Sequence, residues 1–279
     1  MDLRVVGGAP ADPFLSAADL FETEFELSYP VFVRVRDDPD SRTWAGHYQD
    51  RHVLNISRQA ATSAMARELA LHELSHMARN EEGHVSHYQS TREAVFLALA
   101  GRTVERRKLA HCYQIANHCK DIYADDLTLS VAPADKLVQF LESQLAAALA
   151  DRPQASGRPG SRLVTAGSDP EITAVNAAFA LALVERHDLV GSDHRLYDLA
   201  HAAADDAPSV SLDTFKERFR TLAADPSKSE YRRTLVDVVK RYVVNPEWPP
   251  TERRAPTASG RANGPRAWRA GVRRRHSAQ

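Results

Sequence analysis

The chain has 279 residues, 43% of them hydrophobic and 26% charged, with 36 basic side chains against 37 acidic ones. That length and apolar fraction allow a buried core, in one large domain or two small ones, and exclude a wholly disordered chain. A membrane helix of roughly 20 apolar residues, a secretory leader in Met1 to Pro10 and a disulfide framework from Cys112 and Cys119 are excluded as well, so a cytoplasmic setting is expected.

The first third reads as mixed α and β. Leu3 to Val6 is a short apolar run stopped by Gly7-Gly8 and predicts a strand. Asp12-Pro13 opens a helical stretch to about Phe25. Tyr29 to Val35 alternates in character and predicts a second strand. The turn Asp37 to Asp40 follows, and His52 to Ser57 predicts a third. From Arg58 to about Asn80 the pattern is helical, with Ala61, Met65, Leu69, His72 and His76 recurring on one face and Ser57 as a suitable N-cap.

Beyond Thr91 helices are expected near 91–106, 108–130 and 134–150. Residues 151–168 carry the Gly, Pro and Ser of a linker. Four more amphipathic helices are expected near 170–187, 193–204, 211–224 and 228–244, ended by Asn245-Pro246. The last stretch, 249–279, has no periodicity and is expected to be disordered. From residue 251 onward it holds eight arginines and one acid, Glu252. The remaining residues then hold 28 basic against 36 acidic side chains, so the near-neutral total hides an acidic body and a basic tail. The body is lysine-poor as well, a composition suited to staying soluble in high salt.

The chemistry concentrates in His72-Glu73-Leu74-Ser75-His76, an HExxH match inside a predicted helix. Side chains four apart stack on one helix face, so both imidazoles can bind one metal ion. Glu73 lies beside His72, close enough to act as base on a metal-bound water without ligating the metal. Zinc is the expected metal, with three protein ligands and one open position. The bland alternative is a solvated pair of histidines. The apolar face leading to His72 argues against it, since buried imidazoles need partners. Half of the twelve histidines also fall between His72 and His118.

The third ligand is less direct. A metzincin would need Gly at position 79 and His at position 82, where this chain has Arg79 and Glu82, so that class is excluded. A gluzincin takes a carboxylate from a later helix. Glu93 is one candidate. A better one lies on the polar stripe of Gln114, Asn117, Asp121, Asp125 and Thr128, which runs along an otherwise apolar helix.

Asp121-Ile122-Tyr123-Ala124-Asp125 resembles the ExxAD motif of gluzincins related to the CAAX-processing endopeptidases. The resemblance implies that Asp121 is the third zinc ligand and that Asp125 orients a ligating histidine, with Asn117 beside it on the stripe. Asp stands at 121 where that motif has Glu, and Asp125 and Glu93 stay open as alternatives. This chain lacks the membrane helices of those families, so the likeness covers only the metal motif. Across most of residues 1–250 the chain also resembles an uncharacterised family of predicted zinc metallopeptidases from halophilic archaea. That likeness rests on HELSHMARNEEGH at 72–84, ANHCKDIYADDLTL at 116–129 and AFALALVERHDL at 178–189.

The expectation is therefore an α+β, predominantly helical protein. Residues 1–150 form a zincin-like core of a small β-sheet and the HExxH helix, and residues 169–248 a C-terminal helical subdomain. The expected activity is zinc-dependent hydrolysis of peptide bonds in a peptide or protein substrate, with no membrane partner. Val53 to Ser57 would hold that substrate as an added strand, and His84, His87 or Tyr123 would donate to the developing oxyanion. Cys112 and Cys119, seven apart, read as buried core thiols rather than a second metal site. Two other readings stay in play: a zinc protein without turnover, and a nucleic-acid-associated factor acting through its basic tail.

Overall fold

Four short strands form the only sheet among the residues that the computed structural model describes, which are 1–39, 41–151 and 169–244. They are β1 (Leu3–Val6), β2 (Val31–Arg36), β3 (Trp44–His47) and β4 (His52–Ser57), in the spatial order β1-β2-β4-β3. β1, β2 and β4 run parallel, with Leu3 opposite Val31 and Val31 opposite His52. β3 is antiparallel to β4, with Trp44 opposite Asn55, and forms one edge of the sheet. β1 and β4 have the bounds that their apolar runs predict. β3 has no such signal, since Gly46 interrupts a four-residue segment that gains its strand character from pairing with β4.

Helix α1 (Asp12–Phe21) packs Phe14 and Phe21 onto the sheet beside Val31, Val33, Leu54 and Ile56. The single helix expected from Arg58 to Asn80 is two, α2 (Arg58–Ala61) and α3 (Ala66–Glu81). The apolar spacing runs on through the gap, but hydroxyls compete there for the backbone. Thr62 and Ser63 donate to the carbonyls of Arg58 and Ala60 at 3.0 and 2.8 Å, and the Ser63 hydroxyl accepts the N–H of Met65 at 3.2 Å. This break sets a new start for α3, whose Leu71, Leu74 and Met77 join the sheet core.

The rest is helical: α4 (Val85–Tyr88), α5 (Thr91–Ala98), α6 (Arg106–Val131), α7 (Asp135–Ala150), α8 (Pro170–Arg186), α9 (Arg195–Asp205), α10 (Leu212–Arg220) and α11 (Lys228–Val243). The helix expected over 91–106 ends at Ala98, ahead of Gly101, whose φ of 73° is left-handed. α8 starts at Pro170 behind an Asp169 cap and is buried on nearly every side from Ile172 to Val184, which makes it the centre of a second core. That core draws on α5 through α11, including Val95, Ile115, Ile122 and Leu145. The molecule is thus α+β and predominantly helical. None of its described helices is long and apolar enough to cross a membrane. Most of the expected linker (residues 152–168) and the whole Arg-rich tail lie outside the described residues.

Candidate metal centre

α3 supplies His72, Glu73 and His76, and α6 crosses it with Asp121 and Asp125. The crossing is keyed by two small side chains, the hydroxyl oxygens of Ser75 and Thr128 lying 2.9 Å apart in the buried interface. One turn apart, the imidazoles meet edge to face with ring centroids at 4.6 Å. Their Nε2 atoms are 3.1 Å from each other, and Asp121 Oδ1 is 3.4 Å from His76 Nε2. One ligand atom from each of His72, His76 and Asp121 lies within 4.8 Å of the other two. Two imidazole nitrogens and a carboxylate oxygen at this spacing fit zinc, leaving a fourth position for water or substrate.

The rear of each imidazole is tied down. Asp125 Oδ1 accepts from His72 Nδ1 at 2.7 Å. His76 Nδ1 is 2.8 Å from His87 Nε2, His87 Nδ1 is 2.8 Å from the Ser86 hydroxyl, and that hydroxyl is 2.7 Å from His84 Nδ1. The far end fixes the direction of the chain. The backbone N–H of Ser86 donates to His84 Nδ1 at 3.3 Å, so that nitrogen is an acceptor. The Ser86 hydroxyl then donates to His84, His87 donates to Ser86, and His76 donates to His87. With that direction, His76 Nε2 carries no proton and faces His72 Nε2. The two Nε2 atoms are 3.1 Å apart, a spacing that a shared proton or a metal ion would satisfy.

The electrostatics agree. Burial works against a charge on His72, but Asp125, with Glu73 and Asp121 behind it, outweighs burial and lifts the metal-free imidazole to about 10. Zinc must displace that proton to bind. Asp121 is also pushed up by burial, yet hydrogen bonds from His118 and His76 hold it well below the usual carboxylate range, as a ligand must be. Glu73 is 6% exposed. Burial raises its carboxyl, against the pull of His72 and His76, while the backbone N–H of Ala45 in β3 hydrogen-bonds it. A carboxylate raised in this way is a better proton acceptor.

Several expected residues sit elsewhere. Glu93 is half exposed on α5, 3.6 Å from Arg232 of α11, and is no ligand candidate here. Asp125 is hydrogen-bonded to the back of His72, and Asp121 is the carboxylate whose oxygen groups with the two imidazoles. Asn117 is exposed on α6. The support behind Asp121 is instead His118, with Nδ1 3.4 Å from Asp121 Oδ2 and Nε2 2.9 Å from Asn176 Oδ1 of α8. Gln114 donates to the same Asn176 oxygen at 2.8 Å, and the His118 ring stacks on Phe179.

The three residues expected to serve an oxyanion are engaged otherwise. His84 and His87 form the chain behind His76, and the Tyr123 hydroxyl donates to the carbonyl of Ala223 at 2.9 Å. The strand expected to hold substrate needs the same correction. Val53 to Ser57 belongs to β4, which is paired on both sides, by β2 and β3, and has no edge to offer. The outer edge next to Glu73 belongs to β3, whose Ala45 N–H already donates to that carboxyl.

Cys112 and Cys119 are buried, desolvation raises both thiols, Cys112 to about 11, and neither falls in a cluster with metal-like spacing among the described residues. His111, Asp169 and Glu171 make a second cluster with metal-like spacing. Its carboxylates are already neutralised by Arg107 and Lys108, so it is a poor host for a dication.

Compared with known proteins, residues 1–244 match the model of a family described as Family of unknown function (DUF5781). No curated protein and no solved structure matches the chain.

Proposed function

The chain belongs to that family of unknown function, and for this member we propose zinc-dependent hydrolysis of peptide bonds on a zincin-like core. The observation that carries the proposal is the pair of imidazole Nε2 atoms converging beside the Asp121 carboxylate, with a buried carboxyl, Glu73, next to them on the same helix. His72, His76 and Asp121 would hold the zinc, which supplies Lewis acidity toward the scissile carbonyl and brings the pKa of water down toward 7. The zincin-like reading also draws on the sheet, where an antiparallel edge strand lies against the HExxH helix through Ala45 and Glu73.

Each residue has a task in this scheme. Glu73 takes a proton from the attacking water and passes it to the leaving amine. The outer edge of β3 presents its remaining backbone N–H and C=O groups to an extended substrate. Asp125 and the His87–Ser86–His84 chain hold both imidazoles in the orientation the metal needs.

A purely structural zinc site has no use for a base at position 73. The test is therefore zinc content and peptide cleavage in wild type and Glu73→Gln. The variant should keep its zinc and lose cleavage by roughly 10²–10⁴-fold. Unchanged cleavage in Glu73→Gln removes the mechanism, and a wild type without zinc removes the site.

A further inference from the structure

A cavity of about 480 Å³ opens directly beside the candidate metal centre, reaching His72, Glu73, Asp121 and Asp125. The rest of its lining is mostly apolar, and its large apolar side chains come from four helices: Leu69 on α3, Leu129 on α6, Leu137, Phe140 and Leu141 on α7, and Phe179 on α8. All but Phe179 are only partly buried, so these are large apolar side chains with an open space in front of them rather than a closed core. Arg42 and Thr43, the two residues immediately before β3, line it as well. An extended chain lying along the β3 edge therefore passes Glu73 and runs toward a wall of this cavity.

From this geometry we infer that the cavity is the specificity pocket of the site and takes a bulky apolar side chain, such as leucine or phenylalanine, adjoining the scissile bond. The inference rests on the peptidase reading above. The volume admits a large side chain with room to spare, since 480 Å³ is the share of about sixteen liquid waters at ~30 Å³ each. Arg42 and Glu68 are the charged side chains outside the candidate metal centre in a lining otherwise dominated by large apolar groups. The Glu68 Oε1 is already 2.7 Å from Arg67 and 3.5 Å from Lys136. Leucine or phenylalanine gains from leaving water in proportion to the area covered, and the cavity has room to cover all of such a side chain.

The test uses zinc-loaded Glu73→Gln, which should bind without cutting. Blocked pentapeptides with Gly, Ala, Lys, Leu or Phe at the central position are titrated by calorimetry. The Leu and Phe peptides should bind roughly ten- to a hundredfold more tightly than the Gly and Lys peptides. Leu137→Trp, whose indole fills the cavity, should collapse that difference. Circular dichroism and a melting curve confirm that the variant is folded, and Leu141→Trp, one turn further along α7, takes its place if it is not. Equal binding of the Gly and Leu peptides overturns the pocket, as does a preference untouched in the folded tryptophan variant.

The same peptides offered to wild type separate the two claims. Selective binding without cleavage of any peptide sinks the peptidase and leaves the pocket standing. Cleavage of all five at one rate, without selective binding, does the reverse.

Discussion

His76 illustrates how much of this site is settled at single atoms. Its Nε2 can serve a metal only if the proton sits on Nδ1, and what keeps it there is an acceptor, His87 Nε2, at 2.8 Å. Removing that acceptor frees the ring to rotate and to exchange tautomers. His87→Ala should therefore weaken zinc binding by about 10–100-fold, measured by competition with a chromophoric chelator. Zinc affinity equal to wild type would mean that His87 only fills space. The i,i+4 pair His72 and His76 was legible in the sequence from spacing alone, whereas Asp121 came forward only through the resemblance to the ExxAD motif, with Asp125 and Glu93 beside it as alternatives. The roles behind these residues were not legible. Asn176 meets His118 across 58 residues of chain, and no periodicity on α6 points to a partner on α8. His84 and His87 stood out as polar residues near the site, but which way they face depends on the short helix α4, which the sequence gives no reason to expect.

At the level of elements, the position of α6 decides whether Asp121 and Asp125 reach α3 at all, and α6 is braced from its far side. Asp126, the next residue along, accepts two hydrogen bonds from Arg186 at the end of α8, at 2.8 and 2.9 Å, and a third contact from His187 at 2.9 Å. Arg186 also donates to the carbonyls of Arg220 and Leu222, tying in the end of α10. Losing the guanidinium strands a half-buried carboxylate and two carbonyls together. Arg186→Met should cost about 3 kcal/mol, and lower the melting temperature by roughly 6–12 °C in a chain of this size, followed by circular dichroism. A shift under about 2 °C would show the brace to be incidental. Helix positions after residue 169 could be read from amphipathic spacing and caps. The break at Thr62 to Met65 and strand β3 could not, since the first depends on hydroxyls competing for backbone carbonyls and the second on a partner strand.

Across the whole molecule, two cores meet at the metal centre. Leu71, Leu74 and Met77 of α3 belong to the core under the sheet, whereas Ile115, Cys119 and Ile122 of α6 belong to the helical one. A metal held by both helices therefore joins parts that otherwise meet chiefly through side-chain packing. Zinc at a hundredfold excess over its Kd should stabilise the fold by about 2.7 kcal/mol, and stripping it with a chelator should lower the melting temperature accordingly. Identical melts with and without metal would place the ions elsewhere. The sheet has a further consequence, of a different kind. A strand left open on one side invites pairing with any extended chain, including a neighbouring copy of this protein, and such edges are where aggregation begins. β3 is four residues long and interrupted by Gly46, and it is preceded by Arg42. These features limit how many backbone bonds a stray strand can form. The edge is thus too short to seed a growing sheet.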